Sequence, residues 1–135
     1  MNKACPVVIR MQGGELQFLA FRHPLAGKQI IKGTIEVGES LVDACIRELK
    51  EESGLNAEVS KYLGTWDSGY ENQVWGLCLM EVQSPLPDAF THFTLDDGGH
   101  NFEFFWQAFS SEPGDEWHPL FNNAIRTIYD RLVSK

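Results

Sequence analysis

The spacing of hydrophobic and polar positions changes several times along the chain, and each change predicts an element. Apolar runs at residues 7–9 and 16–21 predict two strands, and the glycine pair at 13–14 between them is typical of a hairpin turn. Residues 23–28 include a proline and a glycine and predict a loop. The chain is therefore expected to begin with a hairpin that is followed by a loop.

From residue 40 the apolar positions recur with a helical period. The pattern predicts a helix over residues 40–53, with Ser40 as its N-cap and Gly54 as the left-handed residue that ends it. At about 100° per residue, a single stripe of this helix collects the apolar side chains that we expect to face the core. That stripe consists of Val42, Cys45, Ile46 and Leu49.

The second half of the chain alternates strands and loops before a closing helix. Residues 59–66 and 74–82 predict strands, and the second is apolar enough to be buried on both faces. Two prolines and an Asp-Asp-Gly-Gly turn predict a long loop over residues 83–99, followed by an aromatic strand at 102–109. The last helix is expected to begin near Pro119. The expected fold class is α/β in the α+β sense, with a mixed β-sheet sandwiched between α-helices.

Composition and charge narrow the class of protein. A chain of 135 residues fits one domain, residues 1–135, and 43% hydrophobic with 22% charged residues is ordinary for a soluble globular protein. The formal net charge of −8 argues against a basic footprint for nucleic acid or an anionic membrane. Three cysteines in no metal-binding spacing indicate reduced thiols. With neither a signal-peptide pattern nor an apolar run that could span a bilayer, we expect a cytoplasmic protein.

The predicted helix at 40–53 carries three carboxylates close together on its surface. Glu48 and Glu52 are i,i+4 neighbours, and Glu48 and Glu51 are i,i+3 neighbours, so all three fall within an arc of about 100°. Like charges at this spacing weaken a helix unless a cation lies among them. Three carboxylates that converge on one point form a hard oxygen site, which suits Mg²⁺ or Mn²⁺.

The alternative is that these glutamates only form a solvated helix face. Arg47 and Lys50 do not interleave with the glutamates in the i→i+4 order that would neutralise their charge, which weakens this alternative. The residues on either side of the helix help to decide between these two interpretations.

Residues 33–55 resemble the Nudix box, the signature of the Nudix hydrolase family. The box is G-x5-E-x7-R-E-U-x-E-E-x-G-U, where U is a bulky aliphatic residue. This chain matches it at every fixed position, which are Gly33, Glu39, Arg47, Glu48, Leu49, Glu51, Glu52, Gly54 and Leu55. The order of strands around the box and the closing helix are also similar to the Nudix fold.

The resemblance implies metal-dependent hydrolysis of a phosphoanhydride bond in a nucleoside diphosphate linked to another moiety, X, with Mg²⁺ or Mn²⁺ as cofactor. Glu48, Glu51 and Glu52 resemble the family's metal-binding carboxylates, and Glu51 and Glu52 are the box residues that we expect in catalysis. The backbone carbonyl of Lys32 resembles a further metal ligand, beside Gly33, which lets the main chain come close. A bound cation would screen phosphate oxygens and activate water, and it would allow a protein of charge −8 to bind an anion.

Two box residues resemble supporting groups. Arg47 resembles the arginine that orients one of the glutamates by an ion pair, and Glu39 matches the glutamate that supports the box and reaches a second metal through water. The box does not fix the catalytic base. Glu103, in the aromatic strand, is the candidate base or extra ligand, since an unpaired charge among rings is costly; the alternative is an edge-strand glutamate paired with a cation. His92 and His100 are further candidates from the long loop.

Two basic residues are candidates for substrate binding. Arg22 ends the second predicted strand, where relatives often have a basic residue near the phosphates, and Lys32 adjoins Gly33. A surface ion pair is the alternative for Arg22. The expected partner is a small nucleotide or nucleotide-like diphosphate, with no membrane and no nucleic acid, and the sequence leaves a homodimer open.

Two other functions remain open at this point. One is a nucleoside triphosphate or dihydroneopterin-triphosphate-type pyrophosphatase, suggested by the sequence Gly-Thr-Ile-Glu at residues 33–36. The other is a non-catalytic Nudix-like module that binds a nucleotide metabolite. Inert relatives typically lose box glutamates, whereas this chain keeps all of them, so the sequence favours an enzyme.

Overall fold

The computed structural model describes residues 1–83, 85–95 and 98–134, and strands dominate these ranges. In chain order the elements are β1 (Lys3–Val7), β2 (Ile9–Gln12), β3 (Glu15–His23), β4 (Gly27–Gln29), β5 (Gly33–Thr34), α1 (Leu41–Ser53), β6 (Ala57–Asp67), β7 (Val74–Val82), β8 (Ala89–Thr94), β9 (His100–Ala108) and α2 (Pro119–Val133). No helix in the described ranges is both long and apolar enough to cross a membrane.

The strands form two sheets. The first has the order β5-β1-β7-β6 and is mixed, because β1 and β7 are parallel while the other pairs are antiparallel. The second has the order β2-β3-β9-β8, with β4 paired to β3, and is antiparallel throughout. Only Val8 separates β1 from β2, so the chain passes from one sheet directly into the other.

The sheets lie between the two helices because their strands are apolar on both faces. Along β3, Phe18 and Ala20 belong to a core cluster that contains the buried face of α2. The alternating residues Leu19 and Phe21 belong to a second cluster that contains the buried face of α1. Successive side chains of a strand point to opposite faces, so each sheet face has its own core. The predicted α+β fold, with mixed sheet between helices, is confirmed.

Helix α1 has the caps that the sequence predicts. The Ser40 side chain accepts a hydrogen bond from the main-chain N–H of Asp43, and Gly54 ends the helix with φ 78°. The predicted apolar stripe is wrong at one position: Val42 is 46% exposed, whereas Cys45 and Leu49 are fully buried. The buried face is rotated towards Glu48 and Glu52, so two box glutamates take part in it.

Two strand predictions need correction. The run at 7–9 is not one strand, because β1 ends at Val7 and β2 begins at Ile9. The predicted loop at 83–99 contains β8, which pairs along its whole length with β9 and stacks Phe90 on Phe104 at 4.8 Å between ring centroids. The first two residues of the predicted Asp-Asp-Gly-Gly turn lie outside the described residues. The hairpin at 13–14, the strand at 74–82 and the closing helix are confirmed.

Candidate active site

The loop before α1 brings main chain and carboxylate together. A Cβ atom added to Gly33 would overlap the carboxyl group of Glu48, so no other residue fits there without displacing that side chain. Glycine at this position therefore allows the main chain and the Glu48 carboxylate to approach closely, and it does so without an unusual dihedral angle. The main chain next to Lys32 is held against the helix as a result.

Arg47 lies among the carboxylates of this region. Its Nε and Nη2 atoms donate to the two carboxylate oxygens of Glu39 at 2.7 and 2.8 Å, a bidentate pairing. Its Nη1 atom lies 2.7 Å from Glu48 Oε1 and 3.3 Å from Glu51 Oε2. Its Nη2 atom also donates to the carbonyl oxygen of Thr34 at 3.0 Å. One guanidinium thus joins the loop before α1 to two of the clustered glutamates.

These contacts keep both Glu39 and Arg47 ionised. The hydrogen bonds from Arg47, followed by the main-chain N–H of Glu36, lower the pKa of Glu39 to about 2. The same pairing raises the pKa of Arg47 above its ordinary value. Both side chains are therefore charged across the physiological range, and Glu39 holds Arg47 in a fixed orientation towards Glu48.

A cavity of about 540 Å³ opens beside this network. Its size suits a small molecule. The residues that line it fall into an acidic group (Glu36, Glu48, Glu51 and Glu52), a basic group (Lys3, Lys32 and Arg47), a group of rings (Phe21, His23 and Phe102) and the remaining positions Ala26, Gln29, Gly33 and Thr34. The three clustered glutamates and Lys32, which the sequence singles out, therefore border the same space.

The rings form one continuous wall of the cavity. Phe21 stacks on Phe102 at 4.4 Å between centroids, and His23 contacts Phe102 at 5.2 Å and His100 at 4.7 Å. The wall comes from β3 and β9, which are neighbours in the second sheet. Phe21 and Phe102 are almost fully buried, at 3% and 4% exposed, whereas His23 is partly exposed. His23 is therefore the ring of this wall on which a nucleobase could stack.

The side chain of Lys32 is held in place by Gln73 and Trp75. Its Nζ atom donates to Gln73 Oε1 at 3.1 Å and lies 5.6 Å from the centre of the Trp75 ring. Burial lowers the pKa of Lys32, and the nearby ammonium group of Lys3 lowers it further.

Arg22 and Glu103 are not brought to this cavity. Strand alternation turns Phe21, His23 and Phe102 towards it, and so turns Arg22 and Glu103 to the opposite face, where they are cross-strand partners. Arg22 forms its ion pair with Glu116, ahead of α2. This placement argues against the base role of Glu103 and against phosphate contact by Arg22 in this cavity.

The two histidine candidates have different surroundings. His100 contacts the ring wall through His23. His92 lies at the far end of α1, where a Cβ atom on Gly54 would be 2.9 Å from its Nδ1. Of the two, His100 is the one associated with the cavity.

A second groove, of about 470 Å³, lies where β2 and β7 diverge. It contains Arg10, but this guanidinium is already bound by Asp88 at 2.8 Å and Gln17 at 2.7 Å and lies 4.5 Å from the centre of the Trp106 ring. The carboxylate cluster is absent from its lining, so the cavity beside α1 is the better candidate for chemistry.

The glutamate oxygens at α1 are of the type that binds a hard divalent cation, but they do not converge on one point in this structure. In the part of the chain that the structure describes, no group of three or more His, Cys, Asp or Glu side chains surrounds a common point. In this structure Glu48 and Glu51 are instead paired with Arg47. Carboxylate oxygens are nevertheless the ligands that Mg²⁺ and Mn²⁺ prefer.

The residues that the sequence missed come from outside the box. Lys3, His23, Gln73 and Phe102 border or support the cavity from four separate segments. The aromatic character of residues 102–109 was the one local signal that could have pointed to Phe102.

Comparisons with known proteins agree with the fold. A UDP-X diphosphatase superimposes with a TM-score of 0.71 at 13% identity, over 96% of this chain and 61% of that one, so this chain spans less than two thirds of it. The MutT protein of Methanosarcina mazei gives 0.68 at 17% identity, over 98% and 94% of the two chains. An Ap4A hydrolase of C. elegans gives 0.65 at 19% identity, over 96% and 97%. A search of curated proteins gives no significant match.

The family itself follows from the sequence match. The model of the NUDIX domain matches residues 2–123, which is most of the chain and includes the box, the ring wall and the start of α2. The chain therefore belongs to the Nudix hydrolase family.

Proposed function

We propose that this protein hydrolyses a phosphoanhydride bond in a nucleoside diphosphate linked to another moiety, in a reaction that depends on Mg²⁺ or Mn²⁺. The observation that carries the proposal is that Glu48, Glu51 and Glu52 border one cavity of about 540 Å³ together with Gly33 and Lys32. The family membership and two of the structural neighbours, a UDP-X diphosphatase and an Ap4A hydrolase, support the same reaction class.

In this proposal the three glutamates and the backbone carbonyl of Lys32 hold the cation. When bound, a divalent cation supplies positive charge for the phosphate oxygens and lowers the pKa of a water molecule. Arg47 keeps Glu48 directed towards the loop, and Glu39 fixes Arg47 through its bidentate pair. Glu51 and Glu52 are the carboxylates that we assign to holding the attacking water or its proton.

The ring wall has a separate task. His23, which is partly exposed and lines the cavity, would stack on the base or on another flat group of the substrate, and the buried Phe102 would support its ring. Stacking orients the substrate so that its diphosphate lies beside the glutamates. The free thiols of all three buried cysteines support a reducing compartment, such as the cytoplasm, as the setting for this reaction.

The test is a screen of nucleotide substrates with Mg²⁺ and with Mn²⁺, measuring released phosphate or pyrophosphate. We expect turnover of at least one nucleotide, loss of turnover on chelation, and loss in Glu52→Gln. A protein that hydrolyses none of them, but gains thermal stability from a nucleotide, would instead be a binding module.

A further inference from the structure

The three cations of the cavity differ in the groups to which they are hydrogen-bonded. Arg47 is surrounded by carboxylates. The Nζ atom of Lys3 donates to Thr34 Oγ1 at 2.7 Å, and that of Lys32 donates to Gln73 Oε1 at 3.1 Å, so both bind neutral oxygens. Among the described residues, neither ammonium group lies within ion-pair distance of a carboxylate. The carboxylate of Glu71 raises the pKa of Lys32 from a longer distance without pairing with it. Both ammonium groups can therefore still bind an anion.

The two lysines are close neighbours of the glutamates. Thr34 connects them, because its hydroxyl oxygen accepts from Lys3 while its carbonyl oxygen accepts from Arg47 at 3.0 Å. Arg47 in turn binds Glu48 at 2.7 Å. Lys32 precedes the glycine whose main chain lies against Glu48. An extended anion bound at the glutamates through a cation would reach the lysines with its next groups.

Gln73 makes the Lys32 side chain rigid. It is only 7% exposed, and its Oε1 atom accepts from both Lys32 Nζ and Trp75 Nε1, each at 3.1 Å. Both partners are donors only, so the orientation of the amide is fixed. A cation held in advance loses less freedom when it binds a ligand.

We propose that Lys3 and Lys32 form a polyphosphate subsite, with Gln73 as its positioning residue, and that this subsite makes nucleoside triphosphates the preferred substrate class. The inference rests on the proposed function. A terminal phosphate carries about −1.5 to −2 charges at pH 7, whereas ADP-ribose has a neutral sugar beyond its diphosphate. Two ammonium groups that are hydrogen-bonded to neutral oxygens favour the more charged ligand.

The reaction that follows is hydrolysis at the α–β anhydride. The oxygen of water forms a bond to one of these two phosphorus atoms, and the bridging oxygen leaves with the other. The products are a nucleoside monophosphate, pyrophosphate and a proton. The lysines would hold the end of the substrate that becomes pyrophosphate.

The test compares three lysine variants. Lys3→Met and Lys32→Met remove the charges, and Lys32→Met leaves the backbone carbonyl in place. Lys61→Met is the matched control, since Lys61 is exposed on β6, the strand at the opposite edge of the first sheet from β5. With a nucleoside triphosphate, each subsite variant should raise KM about tenfold, or about 1.4 kcal/mol, with a smaller change in kcat. The rise in KM should be smaller with ADP-ribose, and Lys61→Met should change neither.

A fourth variant tests the positioning role. Gln73→Met keeps the approximate size of the side chain but removes the oxygen that accepts from Lys32 and Trp75. We expect its KM for the triphosphate to rise with a smaller change in kcat, because the ammonium group keeps its charge but loses its fixed position. Lys32→Arg, which keeps the charge, should raise KM less than Lys32→Met. A Gln73→Met protein with wild-type KM would overturn the positioning role.

The remaining outcomes separate the subsite from the proposed function. If Lys3→Met and Lys32→Met shift KM no more than Lys61→Met, the subsite is wrong although hydrolysis stands. If the wild type prefers ADP-ribose by kcat/KM, the substrate class is wrong. If no nucleotide is hydrolysed, the proposed function fails, and the subsite is then tested by the binding of inorganic triphosphate. This ligand should raise the melting temperature of wild type and of Lys61→Met more than that of the two subsite variants. Equal shifts in all four proteins would overturn the subsite.

Discussion

The two helices of this protein are built alike but bury different things. Each is amphipathic and capped, α1 by Ser40 and α2 by His118 with Pro119 behind it. The buried residues of α2 are all apolar, namely Leu120, Phe121, Ala124, Ile125 and Ile128. The buried residues of α1 include Glu48 and Glu52, which are 6% and 9% exposed. The buried residues of α2 are therefore apolar alone, whereas α1 brings charge to the core on the other side of the sheets.

The cations of the two helices show the same contrast. On α2, Arg131 donates to the carbonyl oxygens of Leu63 and Thr65 at 2.7 and 3.0 Å, which fastens the helix to β6. On α1, Arg47 instead offsets carboxylates that would otherwise be costly to bury. We infer that α2 serves stability, whereas α1 accepts a cost in stability to hold a charged site.

The strongest test of this difference removes one buried carboxylate without changing its shape. Because Glu52 is assigned to the cation and to water, Glu52→Gln should lower kcat by about 10² to 10³. Asp130→Asn, an exposed change of the same kind on α2, should leave kcat unchanged. Steady-state kinetics on the best substrate measures both. Turnover of Glu52→Gln within about tenfold of wild type would remove Glu52 from the proposed site.

The converse test removes apolar packing from α2. Ile128 is 2% exposed, so Ile128→Ala should lower the free energy of unfolding by about 2 to 5 kcal/mol. Denaturant titration measures this loss, and kcat well below the melting temperature should stay near wild type. A variant that keeps its stability and loses activity would show that α2 takes part in catalysis.

The same contrast explains how much of the fold was predictable. Both helices follow from local features: apolar positions at helical spacing, a capping residue at the start and a residue that stops the helix. Strand β8 was missed because its six residues are polar at several positions and gain their structure from pairing with β9. Pairing with a distant strand leaves no local pattern in the sequence. The prolines and glycines on either side of β8 were therefore the stronger signal, and they predicted a loop.

The site was predictable on one side only. The glutamates of α1 lie at a fixed spacing within one segment, so the sequence could group them. The opposite side of the cavity is assembled from residues that are distant in the chain, namely Lys3 on the first sheet and His23 and Phe102 on the second. His23 and Phe102 meet because β3 pairs with β9, and Lys3 joins them only because the two sheets pack together. Glu103 was chosen for its unusual setting among rings, but the strand's alternation turns it to the other face.

Metal binding should stabilise α1 and its surroundings. A cation that binds only the folded protein adds RT ln(1 + [L]/Kd), or about 2.7 kcal/mol at about a hundredfold excess over Kd. Millimolar Mn²⁺ should therefore raise the melting temperature by several degrees, and sodium chloride at matched ionic strength should not. Differential scanning calorimetry measures both shifts.

A variant on each helix sharpens this result. Without metal, Glu51→Gln should be about as stable as wild type, since the relief of repulsion with Glu48 and Glu52 offsets the loss of the half-exposed contact with Arg47. It should show a smaller shift with Mn²⁺. Asp130→Asn on α2 should show the full shift. If Mn²⁺ acts no differently from matched salt on the wild type, the glutamates are a solvated face.

Acid should weaken the arginine network before it affects α2. The pKa of Glu39 is about 2 in the folded protein, below its ordinary value of 4.5. A lowered pKa contributes stability above the unfolded value, so this contribution is complete above about pH 4.5 and is lost as the pH falls towards 2. The difference in stability between wild type and Glu39→Gln should therefore shrink over that interval. A difference that stays constant with pH would mean that Glu39 does not stabilise the fold through its charge.

The smallest effect is expected at Glu103, and it tests whether the chemistry extends beyond α1 and its cavity. Glu103 is exposed and lies on the face of β9 opposite to Phe102, across from Arg22 and Thr91. Glu103→Gln should change kcat by less than about threefold, because general base catalysis is worth about 10² to 10⁴ and none of it is assigned to this residue. Its melting temperature should change little, since exposed charge pairs contribute about 0 to 1 kcal/mol. Both quantities are measured in parallel with Glu52→Gln. A large loss of kcat in Glu103→Gln at unchanged stability would show that Glu103 reaches the substrate. The second sheet would then supply a catalytic carboxylate that the comparison of the two helices leaves out.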